Sequence, residues 1–196
     1  MREFILLSRR GYTKPFDIND LPKAGRIDLV SRFILSSIFI SEKLRENVKV
    51  YVVLEGPPNP PKLITFDSNL IKRIYPSEIK IAEKINNALK KYKENQIIES
   101  EPGIFIQKKS FERLIKEFLE NHKKLVYLSR KGILFKQFQF EENSCFIIGD
   151  HVGLDKKREL FLKRLKIPFV SLGRISYLSS QVVSIIHFIL DNKFKF

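Results

Sequence analysis

The chain has no tryptophan, one cysteine, one methionine, three histidines and only eight glycines in 196 residues. Each shortage removes a class of protein. A lone Cys145 excludes an intramolecular disulfide and any cysteine-based zinc site. It lies in an apolar run, where a buried core thiol is expected rather than a nucleophile. His122, His151 and His187 share no ligand spacing with one another or with acidic residues, so no metal is expected. No GxGxxG fingerprint is present, which disfavours a classical dinucleotide fold. The apolar runs around residues 33–40 and 182–190 are too short and too interrupted to span a bilayer, so no membrane partner is expected. Met1-Arg2-Glu3 leads directly into an apolar run with no signal-peptide layout, and a cytoplasmic location is expected. Neither an internal repeat nor a low-complexity linker is visible.

Positive charge is in surplus. Thirty-six Lys and Arg against 22 Asp and Glu leave a net +14, which points to a polyanionic partner such as nucleic acid. A solubility surface or a lysine-rich genome would give the same number. The abundance of Lys, Ile and Glu fits a thermophile and an AT-rich genome equally. The length suits one domain with a substantial core.

Periodicity predicts alternating strands and helices. Residues 4–7, 48–54, 103–106, 125–128, 145–148 and 168–171 read as strands, and 62–67 as a hairpin or edge strand. Helical spacing joins Ile27, Val30, Phe33, Ile34 and Ile38, and again Ile81, Ile85, Ala88, Leu89 and Tyr92 in a helix from Pro76. Ser110 and Asp155 are N-cap candidates for two further helices. A terminal helix is expected over residues 177–191. Residues 8–22 read as a loop, 129–132 as a polar turn, and 90–95 as an exposed lysine-rich loop. The alternation means an α/β fold with a largely parallel sheet flanked by helices.

Ligands of such sheets sit beyond the carboxyl ends of the strands. Three strand ends in the C-terminal half draw attention: Leu128, Gly149 and Leu172-Gly173. If those strands are neighbours, their backbone groups can clasp a nucleoside without charged side chains. The plain alternative is that the glycines merely end strands. His151 lies within the second of these loops and is a candidate substrate contact. Near the first helix, Arg26 can hold phosphate or favour an anion, and Asp28 can accept a proton or orient a base. Two positions apart, they are expected on different faces of a regular helix. The proline-rich span Leu54-Glu55-Gly56-Pro57-Pro58-Asn59-Pro60-Pro61-Lys62 is a stiff loop that serves either recognition or a rigid connection.

Several of these stretches together resemble one family. Ala24-Gly25-Arg26-Ile27-Asp28, the proline-rich span, Ile148-Gly149-Asp150-His151-Val152-Gly153, Ser171-Leu172-Gly173 and Tyr177-Leu178 are similar to the archaeal TrmY family. Its members belong to the SPOUT class and methylate N1 of pseudouridine 54 in the tRNA T loop. The resemblance implies a single domain over residues 1–196, with a C-terminal trefoil knot from about residue 124. It implies S-adenosylmethionine held by Leu128, Gly149, Leu172, Gly173, Leu178 and Val182. It further implies tRNA as partner and a homodimer whose knotted halves pack together, with Val182, Val183, Ile185, Ile186 and Ile189 offered as interface residues. Arg26 and Asp28 are the catalytic candidates. The chain departs from the family where Gln181-Val182 replaces a His-Cys pair. Two alternatives follow. The related Nep1 proteins act on ribosomal RNA but usually carry an inserted segment for which this chain has no obvious room. A basic RNA-binding module without catalysis is the other.

Overall fold

The apolar, β-branched runs of the chain collect into one eight-stranded sheet. A computed structural model describes residues 1–41, 43–141 and 143–192. The strands are β1 (Arg2–Ser8), β4 (Val48–Leu54), β5 (Lys62–Asp67), β6 (Ile98–Glu101), β7 (Ile104–Gln107), β8 (Lys124–Leu134), β9 (Ser144–Gly149) and β10 (Phe169–Ser171). A two-residue pair, β2 (Phe39–Ile40) and β3 (Lys43–Leu44), stands apart. The helices are α1 (Ile27–Ile38), α2 (Glu78–Lys91), α3 (Phe111–Glu120), α4 (Lys156–Arg164) and α5 (Ser179–Asp191).

Spatial order is β10-β8-β9-β1-β4-β5-β7-β6. The five strands from β10 to β4 are mutually parallel, and β4, β5, β7 and β6 pair antiparallel. The sheet is therefore a parallel half with an antiparallel wing. Period-two alternation sorts the side chains. Phe4 and Leu6 of β1 face a core shared with α1, α2 and α5, while Ile5 and Leu7 face α3 and α4. Helices on both faces explain why β1 is fully buried from Glu3 to Ser8.

The structure departs from the sequence expectations at several places. β8 does not end at Leu128. Its ladder with β10 steps from Tyr127–Phe169 directly to Ile133–Val170, so residues 128–132 bulge out and the strand resumes. The expected polar turn is this bulge. Helix α2 runs to Lys91, so the first part of the expected lysine-rich loop is helical. β6, whose sequence Ile-Glu-Ser-Glu carries no apolar alternation, went unforeseen.

The terminal helix needs a larger correction. Val182, Val183, Ile185, Ile186 and Ile189 were offered to a subunit interface; Val183, Ile186 and Ile189 are buried within the chain itself, Val183 and Ile186 in the core shared with α1, while Val182 and Ile185 are half-buried. Buried groups of this kind cannot face a second copy. Phe188 is the α5 side chain that is apolar and strongly exposed. His187 is buried and its Nε2–H donates to the Ser37 carbonyl at 2.9 Å.

Candidate active site

A cleft of about 880 Å³ opens beyond the carboxyl ends of β8, β9 and β10. Three segments make its walls: the β8 bulge, the loop after β9 and the loop from β10 into α5. Leu128, Gly149, Leu172, Gly173, Leu178 and Val182 all line it. Sequence-distant strand ends meet because β8, β9 and β10 are adjacent parallel strands. Leu29 of α1 and Ile148 add apolar wall.

Each wall has a local cause. At the end of β9 the chain must double back within four residues. A side chain at Gly149 would meet the Gly153 backbone at 2.7 Å, so only glycine allows the turn. Asp150 then organises the loop. Its Oδ1 accepts from the Val152 amide and its Oδ2 from the Arg9 amide, each at 2.9 Å. The second bond ties the β9 loop to the exit of β1. His151 is exposed at the rim, its Nδ1 4.0 Å from Asp150 Oδ1. In the third wall, Ser171 Oγ bonds the Gly173 amide and carbonyl, both at 3.2 Å. The start of α5 is held by Gln181, whose Oε1 accepts from the Leu178 amide at 2.9 Å. The Gln181-Val182 departure thus supplies a helix cap and a half-buried apolar wall residue.

Tyr127 and Glu159 also line the cleft. Burial pushes the Tyr127 hydroxyl up to about 12, with the Glu159 carboxylate adding to it, so this tyrosine stays neutral. Glu159 is paired with Lys131 at 2.8 Å.

Arg26 and Asp28 do not behave as helical spacing predicts. Arg26 stands outside α1, as its N-cap, with a left-handed backbone of φ 67°. Its guanidinium folds back onto Asp28, with Nε–Oδ1 at 3.0 Å and Nη2–Oδ2 at 2.9 Å. Arg32 reaches the same Oδ2 at 2.7 Å and pairs with Glu78 of α2 at 3.1 Å. Burial pushes the Asp28 carboxyl up, but Arg26 first and then Arg32 outweigh it and hold it below the usual carboxylate range. Neither Arg26 nor Asp28 lines the cleft; the adjacent Leu29 does.

Backbone-to-backbone packing joins the two N-terminal motifs. A side chain at Gly25 would lie 1.7 Å from the Arg10 carbonyl oxygen, and one at Gly56 2.2 Å from it. The loop leaving β1 is gripped between them. Tyr12 N donates to Ala24 O at 3.1 Å, Gly56 N to Gly11 O at 2.8 Å, and Thr13 Oγ1 to Gly56 O at 2.9 Å. Farther round, Arg158 of α4 pairs with Glu55 at 2.6 Å, with Glu112 at 3.2 Å and with Asp155. Burial raises the Glu55 carboxyl, and Arg158 only partly offsets it. The proline-rich loop is thereby tied to the start of α4.

The sequence placed Asp150 in a loop motif and Gln181 at the departure from the family without indicating what either bonds, and Arg158 was not singled out. The signal for Asp150 was present, since an aspartate after a strand-ending glycine commonly bonds amides two residues on. Among the described residues there is no cluster of three His, Cys, Asp or Glu that could hold a metal, and no helix long and apolar enough to cross a membrane.

Comparison with known proteins gives the family. A family model described as "Putative SAM-dependent RNA methyltransferase" matches residues 1–194. A tRNA (pseudouridine(54)-N(1))-methyltransferase of Thermococcus gammatolerans is 38% identical over 199 residues, covering 98% of each chain. The protein of the same name from Methanocaldococcus jannaschii is 38% identical over 202 residues, again covering 98% of each. Among solved structures, Archaeoglobus fulgidus Nep1 bound to S-adenosylhomocysteine superposes with a TM-score of 0.68 at 14% identity, covering 97% of both chains. That likeness supports the fold. With the fold, the cleft and these matches in agreement, the chain belongs to the family of S-adenosylmethionine-dependent RNA methyltransferases.

Proposed function

We propose that this protein methylates N1 of pseudouridine 54 in the tRNA T loop, using S-adenosylmethionine held in the cleft at the ends of β8, β9 and β10. The observation that carries the reading is the cleft itself: the six positions that the family resemblance assigns to the cofactor line one cavity. The cavity suits the group. Its volume lies within the usual range for small-ligand pockets, and its wall sets apolar side chains (Leu128, Leu172, Leu178, Val182) beside polar ones (Ser129, Asp150, Glu159). The name shared by relatives at 38% identity supplies the substrate.

When bound, the cofactor supplies a methyl group already activated by its sulfonium. The residues of this chain align and exclude water. Leu128, Leu172, Leu178 and Val182 wall the site, and alignment of the reacting atoms contributes much of the acceleration. N1 must pass its proton to water at the open mouth of the cleft as it takes the methyl. Asp28, clamped by two guanidinium groups, is a poor proton acceptor. Its role in this reading is to hold Arg26, whose charge favours the developing N1 anion. The target base leaves the folded T loop to reach the cofactor.

The same reading includes finer structure. Residues 1–196 form one SPOUT-type domain, and the chain from about residue 124 threads into a trefoil knot. Supporting this, β10 lies outside β8 in the sheet, and Phe135, Phe138 and Phe140 of the β8–β9 crossover pack on the same face as α5. A crystal structure traced through residues 124–192 tests it; an unthreaded path sinks it. A homodimer in the cytoplasm is part of the reading, with exposed Ile175, Leu178 and Phe188 as interface residues. Light scattering reports the mass, and a monomer at micromolar concentration refutes the dimer.

The test of the reaction is transfer of labelled methyl to two transcripts of one tRNA, carrying uridine or pseudouridine at position 54. Label located by mass spectrometry to pseudouridine 54 alone is expected. Label on neither transcript, with the cofactor still bound, refutes the tRNA substrate.

A further inference from the structure

Arginines in this chain fall into two groups. Arg10, Arg130, Arg164 and Arg174 are exposed and make no ion pair or side-chain hydrogen bond among the described residues. Every other arginine reaches a carboxylate or, for Arg73, the Tyr75 hydroxyl. Three of the four free ones share one edge of the sheet. Arg10 follows β1, Arg130 projects from the β8 bulge, and Arg174 follows β10. Arg130 and Arg174 line the cleft on two of its walls. Arg10 stands on the loop gripped between Gly25 and Gly56. Carboxylates that could neutralise them are already engaged. Glu159 is paired with Lys131, and both oxygens of Asp150 are taken by backbone amides.

We infer that Arg10, Arg130 and Arg174 are the residues that seat the RNA backbone across the mouth of the cleft, holding phosphates on either side of the target nucleotide. The spatial order β10-β8-β9-β1 places them along a line about 14 Å long, three strand spacings of roughly 4.8 Å. A splayed nucleotide entering the cleft leaves its flanking phosphates along that line. The guanidinium group matches phosphate in a bidentate fork, and one without a prior partner need not break an ion pair to bind. The loops that carry Arg10 and Arg130 are anchored. Side chains at Gly25, Gly56 and Gly132 would collide with the neighbouring backbone, so these loops present their arginines from fixed backbone.

Arg164 is a built-in control. It is equally free and exposed, but α4 runs from the β9 loop back towards the start of β10, so Arg164 lies at the opposite edge of the sheet. The inference rests on RNA being the substrate, not on which base is methylated.

The experiment measures binding of an unmodified tRNA transcript at several salt concentrations, without methyl transfer. It uses the full chain and the variants Arg10→Gln, Arg130→Gln, Arg174→Gln and Arg164→Gln. Each mouth variant is expected to lose roughly five- to tenfold in affinity and about one unit of the log–log salt slope. Arg164→Gln is expected to stay within about twofold of the parent. Calorimetric affinity for S-adenosylmethionine should hold within about twofold in Arg10→Gln and Arg164→Gln, whose side chains do not line the cleft, which separates RNA seating from damage to the cofactor site. Mouth variants that bind tRNA like Arg164→Gln overturn the inference. So does a loss confined to cofactor affinity. If the parent binds tRNA and the variants weaken as stated, yet no methyl reaches pseudouridine 54, the reaction reading fails and this one stands.

Discussion

The antiparallel wing and the carboxyl edge of the parallel half differ in how they hold part of their positive charge. Several wing cations are engaged by neighbours: Lys84 by Glu101, Lys49 by Asp67 at 2.7 Å, and Lys62 over the Tyr92 ring at 3.8 Å. Burial lowers the Lys62 amine without unpinning it. Lys91 donates to the Ser100 carbonyl at 2.5 Å. At the carboxyl edge of the parallel half, three arginines are left free. A net +14 therefore says little about where a polyanion sits. Subtracting internal pairs does, because a paired cation offers a weaker field and must break its pair to bind.

Backbone differs in the same sense. The wing is a regular ladder from β4 to β7. The parallel half ends in loops held at close backbone contact, and these should fail first when a methyl group is added. Gly25→Ala puts a side chain 1.7 Å from the Arg10 oxygen at φ 77°. Stability is expected to fall by about 4 kcal/mol, as strain in a left-handed backbone adds to the collision. Denaturant unfolding measures it, and a loss under about 1 kcal/mol shows that the grip on the β1 loop is soft.

A pH-sensitive point lies at the other end of the parallel half. His187 is buried; its Nε2–H is committed to Ser37, and its Nδ1 faces Arg2 at 3.2 Å. Burial first, then Arg45, depresses its pKa to about 4 from 6.5, with Arg2 adding to this and Asp191 opposing it. Above pH 6.5 both folded and unfolded chains hold it neutral, and it contributes nothing. Between 6.5 and 4 only the unfolded chain takes the proton, so stability falls with pH. Below 4 the full loss is present, about 3 kcal/mol. His187→Gln should flatten this part of the stability–pH curve relative to the parent. Parallel curves for the two proteins refute the assignment.

Asp28→Asn sharpens the comparison from the chemical side. The substitution keeps the shape and removes the charge that clamps Arg26 and Arg32. Methyl transfer in single turnover should fall about a hundredfold, with cofactor affinity within about twofold. Because Arg26 and Arg32 hold the Asp28 carboxyl low, it stays ionised through the neutral range, and the parent rate should show no step there from this group. An undiminished rate removes Arg26 and Asp28 from the mechanism.

Much of this was readable before the fold was known. Apolar runs ending in glycine marked the strands, and the strand ends marked the cleft, because a parallel sheet brings its carboxyl ends together whatever lies between them in sequence. What was not readable depended on backbone states that residue type does not announce. Nothing in an arginine at position 26 signals φ 67°, and without that bend the pair with Asp28 is geometrically excluded. The bulge in β8 is a matter of pairing with β10, not of local composition. Edge strand β6 has one exposed face and reads as polar. The family resemblance offered Val183 and Ile186 of α5 to a subunit interface, but both are buried in the core shared with α1. Apolar periodicity tells that a face is covered, not by what.

The smallest expected effect isolates position from amount of charge. Lys84→Gln and Arg174→Gln each remove one positive charge, so any long-range attraction for RNA falls equally. Lys84 is pinned to Glu101, both partly buried, on the wing. Its loss should cost about 1 kcal/mol of stability, the scale of a semi-exposed pair, and leave tRNA affinity within about twofold. Among the described residues Arg174 has no partner to lose. Its replacement should leave stability unchanged within about 0.5 kcal/mol, the usual range for an exposed position. Its effect should fall on RNA affinity alone. Equal losses of affinity in both variants would mean that the total charge, not the mouth of the cleft, holds the RNA.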